Sequence, residues 1–153
     1  MTRNPFLPDD FSQENYRFRH RLRVRYAEID AQAVVYNSHY MVYYDIGITE
    51  YLRQFSFNQV EHAARTGHDF HLVSSRVDYR RPIRYDTEID IAVASPHIGN
   101  SSITWSLALV AAAGTGLLST GEIVWVYTDL SEETAVRVPD DLRALLSGPL
   151  LDT

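Results

Sequence analysis

Tyr26-Ala-Glu-Ile-Asp30-Ala-Gln-Ala-Val-Val-Tyr36-Asn37-Ser-His-Tyr40 separates two segments of different periodicity. Upstream, Phe18, His20, Leu22, Val24 and Tyr26 alternate with Arg17, Arg19, Arg21, Arg23 and Arg25, the period of a strand with one buried face. Downstream, Tyr40, Tyr44, Ile48, Tyr51, Leu52 and Phe55 recur at helical spacing and predict a helix over Ser38–Phe55. Ser38 is its expected N-cap. Met41, Val42 and Tyr43 add apolar surface on other sides, so most of the helix should be buried. The stretch therefore places one carboxylate, Asp30, seven residues before Asn37 and a helix start. At a helix start, backbone N–H groups lack partners and partial positive charge collects. A carboxylate near such donors is equipped to attack a polarised carbonyl, or to activate water against it.

Working outward, residues 1–15, with Pro5 and Pro8, read as a polar arm, and residues 16–153 as a single domain. Ser56 and Gln59 form an expected capping box for a second helical segment that ends at Gly67. His71, Val73, Ser75, Val77 and Tyr79 then alternate until Pro82. Thr87, Ile89, Ile91 and Val93 form a further strand pattern, as do Ile103, Trp105, Leu107 and Leu109. Ala113-Gly114-Thr115-Gly116 makes a turn before Ile123, Trp125 and Tyr127. Val138-Pro139-Asp140-Asp141 carries proline and acids where a helix begins, and a short helix should run to about Leu146. One strand, a long helix, four strands and a short helix imply an α+β fold. An antiparallel sheet of about five strands, wrapped around the long helix, would bury that helix.

Composition removes several chemistries. The 153 residues carry no cysteine, which excludes disulfides, thiolate nucleophiles and zinc-thiolate sites. All 14 basic residues are arginine, so a Schiff-base lysine is excluded. A net charge of −6 disfavours nucleic acid as a partner, and the arginine alternation reads as a solvated or interface-facing strand side. His62, His68 and His71 do not share a helix face at ligand spacing, and no metal site is expected. No apolar run approaches the ~18–20 residues of a membrane span, and Met1-Thr-Arg-Asn-Pro-Phe lacks a signal-peptide core. A cytoplasmic protein is expected.

Val24-Arg-Tyr-Ala-Glu-Ile-Asp30 with Val34-Val-Tyr36-Asn37-Ser-His-Tyr40 resembles the signature of hotdog-fold acyl-CoA thioesterases, and most closely the 4-hydroxybenzoyl-CoA thioesterase family. Val77-Asp-Tyr-Arg-Arg-Pro82-Ile-Arg-Tyr-Asp86 resembles that family's segment between its second and third strands. The resemblance implies hydrolysis of an acyl-CoA or acyl-carrier-protein thioester. Asp30 would be the catalytic carboxylate, as nucleophile or as general base, and the Asn37 backbone N–H would polarise the carbonyl. Tyr26, Tyr36, Tyr40, Ser74 and Ser75 would line the site. Arg80, Arg81 and Arg84 would meet coenzyme A phosphates, which suit the arginine fork. No cofactor is implied, since coenzyme A is part of the substrate. The family builds its sites between subunits, so a homodimer or homotetramer is implied, and Glu61 is a candidate contribution from a facing subunit. Two departures stand out: Ala33 occupies a place where the family often has glycine, and Asn37 one where a branch has histidine. Read without the resemblance, Asp30 also suits a turn cap, Asn37 an ordinary helix cap and the three arginines a solvated turn. Two rival functions are a non-catalytic acyl-binding hotdog protein and a hotdog hydratase or dehydratase. The latter needs a histidine, and none stands at the position of Asp30. The acyl group is left open.

Overall fold

The computed structural model describes residues 15–112 and 116–150. The arm expected over residues 1–15 lies outside them except for Asn15, as do three residues of the turn expected at Ala113–Gly116. Strands β1 (Phe18–Arg23), β2 (His68–Tyr79), β3 (Glu88–Val93), β5 (Ser102–Ala111) and β6 (Leu117–Asp129) form one antiparallel sheet in the order β1-β3-β5-β6-β2. Two short strands lie off this path: β4 (His97–Ile98) beside β5 and β7 (Thr134–Ala135) beside β6. Helix α1 (Ser38–Arg53) lies against the sheet, with α2 (Gln59–Thr66) following it and α3 (Asp140–Ser147) near the C-terminus. An antiparallel sheet packed on a long central helix is the hotdog arrangement the sequence implied.

Helix α1 buries Tyr40, Tyr43, Tyr44, Gly47, Ile48, Tyr51 and Leu52, a face that repeats every three to four residues. It meets the inward residues of β3 and β5: Ile89, Ile91, Val93, Ile103, Trp105, Leu107 and Leu109. Tyr51 packs edge-on against Trp105 at 5.5 Å and Phe18 at 5.9 Å. Two glycines permit this close approach. A Cβ at Gly121 would lie 2.6 Å from the Tyr44 ring, and one at Gly47 would overlap the Ile91 side chain. Tyr44 then reaches past Gly121 so that its hydroxyl meets Ser119 Oγ at 2.6 Å.

Four local expectations are corrected. Strand β1 ends at Arg23; Tyr26 enters a 3-10 turn (Tyr26–Glu28) and does not extend the strand face. Helix α1 ends at Arg53, before Phe55, because Ser56 adopts a left-handed φ of 54° and the Phe57 N–H returns to the Leu52 carbonyl. Ser56 thus closes α1 and does not open a capping box. Asn58 caps α2, its side-chain oxygen accepting from the N–H groups of Val60 and Glu61. In β2 a bulge at Val73 breaks the alternation: Leu72 pairs with Trp125 and Ser74 with Val124. Ser75, Val77 and Tyr79 consequently share one face, while His71 and Ser74 point the other way.

The arginine alternation is an ion-paired strand face. Arg21 grips Asp90 of β3 with Nε and Nη2 at 2.8 and 3.2 Å, and Arg23 reaches Glu88 at 3.0 Å and Asp86. Asp90 and Glu88 lie opposite on the neighbouring strand, in register with Arg21 and Arg23.

Candidate active site

The chain leaving β1 is held by its backbone before it reaches Asp30. Val24 exchanges hydrogen bonds with Thr87 and Asp86, and the Glu28 N–H closes a turn onto the Arg25 carbonyl at 3.0 Å. Ile29 then bridges Val35, and the Asp30 N–H donates to the Val34 carbonyl at 2.9 Å. Between them, the Ala33 N–H returns to the Asp30 carbonyl at 2.9 Å, and Asp30 Oδ1 accepts from the Gln32 N–H at 2.8 Å. This tight turn needs a left-handed residue, and Ala33 supplies it at φ 59°. The geometry associated with glycine is therefore kept by an alanine. Beyond the turn, Val34 bridges Arg84 and the Val35 N–H donates to the Ile83 carbonyl at 2.8 Å. Asp30 is half-buried, and its Oδ2 has no partner among the described residues.

Helix α1 starts one residue after Asn37. Asn37, not Ser38, is the N-cap residue, and its carboxamide makes no capping bond. The first N–H groups to find acceptors are those of His39, to Tyr36, and Tyr40, to Asn37. Among the described residues the N–H groups of Asn37 and Ser38 have none, so the positive end of α1 is open.

The structure brings part of the expected lining together. Tyr40 is buried and packs edge-on against Tyr79 at 4.7 Å, while the Tyr79 hydroxyl donates to the Asn37 carbonyl at 3.3 Å. Burial, and then the neighbouring Tyr79, push the Tyr40 hydroxyl pKa upward, so it is held as a neutral phenol. Tyr40, Tyr79, Arg80, Arg81 and Pro82 line a hollow of about 220 Å³. Arg80 and Arg81 both anchor their backbone N–H groups on the Leu118 carbonyl and leave exposed side chains. Arg84 joins through its backbone bridge to Val34. Tyr26, 77% exposed, pairs edge-on with Tyr85 at 6.0 Å, and Tyr36 is also exposed. Ser74 and Ser75 are exposed on β2 and face opposite sides of the sheet; only Ser75 shares the face of Tyr79. A larger hollow of about 550 Å³ lies at the other end of α1, between Thr49 and Val60. Its lining has Arg53 as its one ionisable group and no carboxylate.

Sequence reading gave Glu28 no role and did not foresee its bond to Tyr43 or the bond of Tyr79 to Asn37. Glu28 is 3% exposed, although it follows the exposed Ala27. Its Oε1 accepts from the Arg25 N–H at 2.8 Å and the Tyr43 hydroxyl at 2.9 Å; its Oε2 accepts from Arg25 Nε and Nη2 at 3.3 and 3.1 Å. Burial pushes the carboxyl pKa up, but these donors outweigh it and hold the group below the usual carboxylate range. Burial and the bond to Glu28 drive the Tyr43 phenol well upward. The available signal was an acid flanked by Ala27 and Ile29, at the spacing of a one-turn cap from Arg25.

Residues 24–146 match the model of the thioesterase-like superfamily. The chain belongs to the thioesterase-like superfamily. As a member of it, the protein is a thioester hydrolase. The acyl-CoA thioester hydrolase YbgC of Escherichia coli O6:H1 is 31% identical to this thioesterase over 112 residues, which span 73% of this chain and 82% of YbgC. The structure resembles that of Slr0204, a 1,4-dihydroxy-2-naphthoyl-CoA thioesterase from Synechocystis, with a TM-score of 0.79 at 15% identity, covering 84% of this chain and 94% of that one. It also resembles the PA5185 protein of Pseudomonas aeruginosa, with a TM-score of 0.77 at 24% identity over 88% and 92% of the two chains. At these identities the two structures speak for a shared hotdog fold.

Proposed function

We propose that this thioesterase hydrolyses an acyl-CoA thioester at the Asp30 turn, giving the free acid and coenzyme A. One observation carries the reading: Asp30, with an uncommitted Oδ2, and the open N-terminus of α1 belong to the same short, backbone-locked segment. The thioester carbonyl oxygen would sit against the Asn37 N–H, where the helix start stabilises developing negative charge. Two routes use that placement. In one, Asp30 takes a proton from water while the water oxygen adds to the carbonyl carbon. The tetrahedral oxyanion then collapses, the carbon–sulfur bond breaks, and the proton passes to the leaving thiolate. In the other, a carboxylate oxygen of Asp30 adds directly, the thiolate leaves, and water cleaves the resulting mixed anhydride. Either route consumes only water and substrate, and no cofactor enters.

Arg80, Arg81 and Arg84 are assigned to the coenzyme A phosphates, because Arg80 and Arg81 line the hollow beside Tyr79 and Arg84 is exposed on the segment bridged to Val34. Tyr26, Tyr36, Tyr40 and Ser75 are assigned to the substrate's path, with Ser74 on the far face of β2. A second copy of the chain is part of the proposal, as a homodimer or homotetramer. Strand β2 is 12 residues long and, among the described residues, pairs only with β6, exposing Leu72 and Val73. A long, partly apolar edge of this kind is covered by pairing with another strand. No helix among the described residues is long and apolar enough to cross a membrane. On the same reading the protein works in the cytoplasm.

The test is release of free coenzyme A from short-chain, long-chain and aromatic acyl-CoAs, followed with a thiol reagent. Asp30→Asn should lower the rate by ~10²–10⁴-fold, the scale of a catalytic acid–base group. A folded Asp30→Asn protein that hydrolyses as fast as wild type would remove Asp30 from the chemistry.

A further inference from the structure

We infer that Glu28 is a positioning residue that sets the separation between the Asp30 carboxylate and the N–H groups at the start of α1. The inference rests on the reading of Asp30 and Asn37 given above. Glu28 stands two residues before Asp30, so its side chain does not need to touch substrate to act. Its Oε1 holds α1 through the Tyr43 hydroxyl at 2.9 Å. The same oxygen holds the end of β1 through the Arg25 N–H at 2.8 Å. Its backbone carbonyl accepts from the Tyr36 N–H at 2.9 Å, and Tyr36 adjoins Asn37. One residue thus grips the chain before Asp30, the helix after Asn37 and the segment between them.

The choice of a carboxylate follows from the donors. The Glu28 carboxylate accepts four hydrogen bonds, one from a backbone N–H and three from side chains, and the described structure gives it nothing to donate to. Glutamine would keep one acceptor oxygen and turn an amide N–H₂ toward the other donors, so either the Arg25 guanidinium loses its acceptor or the Tyr43 hydroxyl must turn round to accept from the amide. Tyr43 is fully buried, and its hydroxyl has no solvent to fall back on. If it faces the amide, its hydroxyl, and with it the start of α1, has to readjust. The exposed Arg25 guanidinium can turn to water, so the Tyr43 bond carries more of the positioning than the salt bridge does. The other buried acid among the described residues, Asp90, pairs with Arg21 on the β1–β3 strand pair and does not touch this segment.

The test measures kcat and KM for coenzyme A release, together with thermal unfolding, for Glu28→Gln, Tyr43→Phe, their combination and Asp30→Asn. Glu28→Gln should lower kcat by ~10–100-fold with KM within about 3-fold, since a displacement of about 1 Å costs on the order of 10²-fold. Tyr43→Phe, a milder change that keeps the charge, should lower kcat by about 3–10-fold in the same pattern. The combination should cost less than the product of the two single effects, because both changes act on the Glu28–Tyr43 contact. If Glu28→Gln fails to fold, Tyr43→Phe decides. Variants with lowered unfolding temperatures but wild-type kcat, while Asp30→Asn is inactive, would overturn the positioning role and leave the catalytic reading standing. An Asp30→Asn protein with wild-type activity would overturn both.

Discussion

The seam between α1 and the sheet and the turn between Asp30 and Asn37 are held by opposite means. The seam is apolar and gapless: Tyr44 lies on Gly121, Gly47 on Ile91, and Tyr51 on Trp105. Few of its contacts have a direction, so its strength grows with area. The turn buries little apolar surface and is held by directed bonds, from Gln32 to Asp30, Ala33 to Asp30, Tyr36 to Glu28 and Tyr43 to Glu28. It contains a left-handed alanine and open N–H groups. The difference separates tasks. The seam supplies stability, while the turn leaves the Asn37 and Ser38 N–H groups and Asp30 Oδ2 without partners among the described residues, where the proposed function would place a substrate.

If that division holds, damage to the seam should appear as lost stability and damage to the turn as lost turnover. The largest stability effect should come from Trp105→Ala. Trp105 is fully buried and touches Tyr51 and Trp125, so its loss should cost about 3–5 kcal/mol in urea unfolding. Next is Gly121→Ala. The added methyl would press on the Tyr44 ring and should cost about 1–3 kcal/mol. In both, kcat per folded molecule measured at low temperature should stay near wild type. A fall in kcat that matches the fall in stability would show that seam and turn are one mechanical unit.

Glu28→Gln probes the border between the two regions and should cost about 1–3 kcal/mol at neutral pH, through loss of the charged acceptor that Arg25 and Tyr43 share. Its pH dependence separates it from the seam variants. The folded-state pKa of Glu28 lies below the ordinary value of about 4.3 found in the unfolded chain. Its stabilisation is therefore fully present above about pH 4.3 and is lost as the pH falls through the depressed folded value. The difference in unfolding temperature between wild type and Glu28→Gln should narrow below pH ~4, whereas the Gly121→Ala difference should not change with the ionisation of Glu28.

The same contrast explains what could be read in the sequence. Helix α1 was legible because Tyr40, Tyr44, Ile48, Tyr51 and Leu52 repeat at its period, and β3 and β5 because Ile89, Ile91 and Val93, and Ile103, Trp105, Leu107 and Leu109, alternate without a break. The hotdog arrangement followed from the element order and the resemblance, whereas the strand order within the sheet came only from the structure. Asp30 and Asn37 were legible only as members of a motif, since spacing alone leaves an aspartate free to cap a turn. What stayed hidden depends on partners distant in sequence. The bulge at Val73 is visible only against β6, the pairing of Arg21 only against Asp90, and the burial of Glu28 only once Tyr43 is folded over it. Ser56 misled because its hydroxyl suggests a cap, while its backbone conformation, which the side chain does not announce, ends the previous helix.

The smallest effect expected belongs to Ala33→Gly, and it bears on the comparison most directly. An L-residue with a Cβ at φ 59° carries a conformational cost of about 1–2 kcal/mol. Glycine would remove that cost but enlarge the conformational freedom of the unfolded chain, worth about 0.4–1 kcal/mol in the other direction. The net should be a stabilisation of about 0.5–1 kcal/mol, read from the urea midpoint at unchanged slope. Because the turn is already closed by the Ala33 N–H on the Asp30 carbonyl, glycine should leave that bond in place and kcat within about twofold. Higher stability at constant turnover would show that the alanine strain is incidental and that the hydrogen bonds alone set the turn. A gain in stability accompanied by a loss of turnover would instead make the stiffness of Ala33 part of the site, since glycine changes nothing else there but the freedom of the backbone between Asp30 and Asn37.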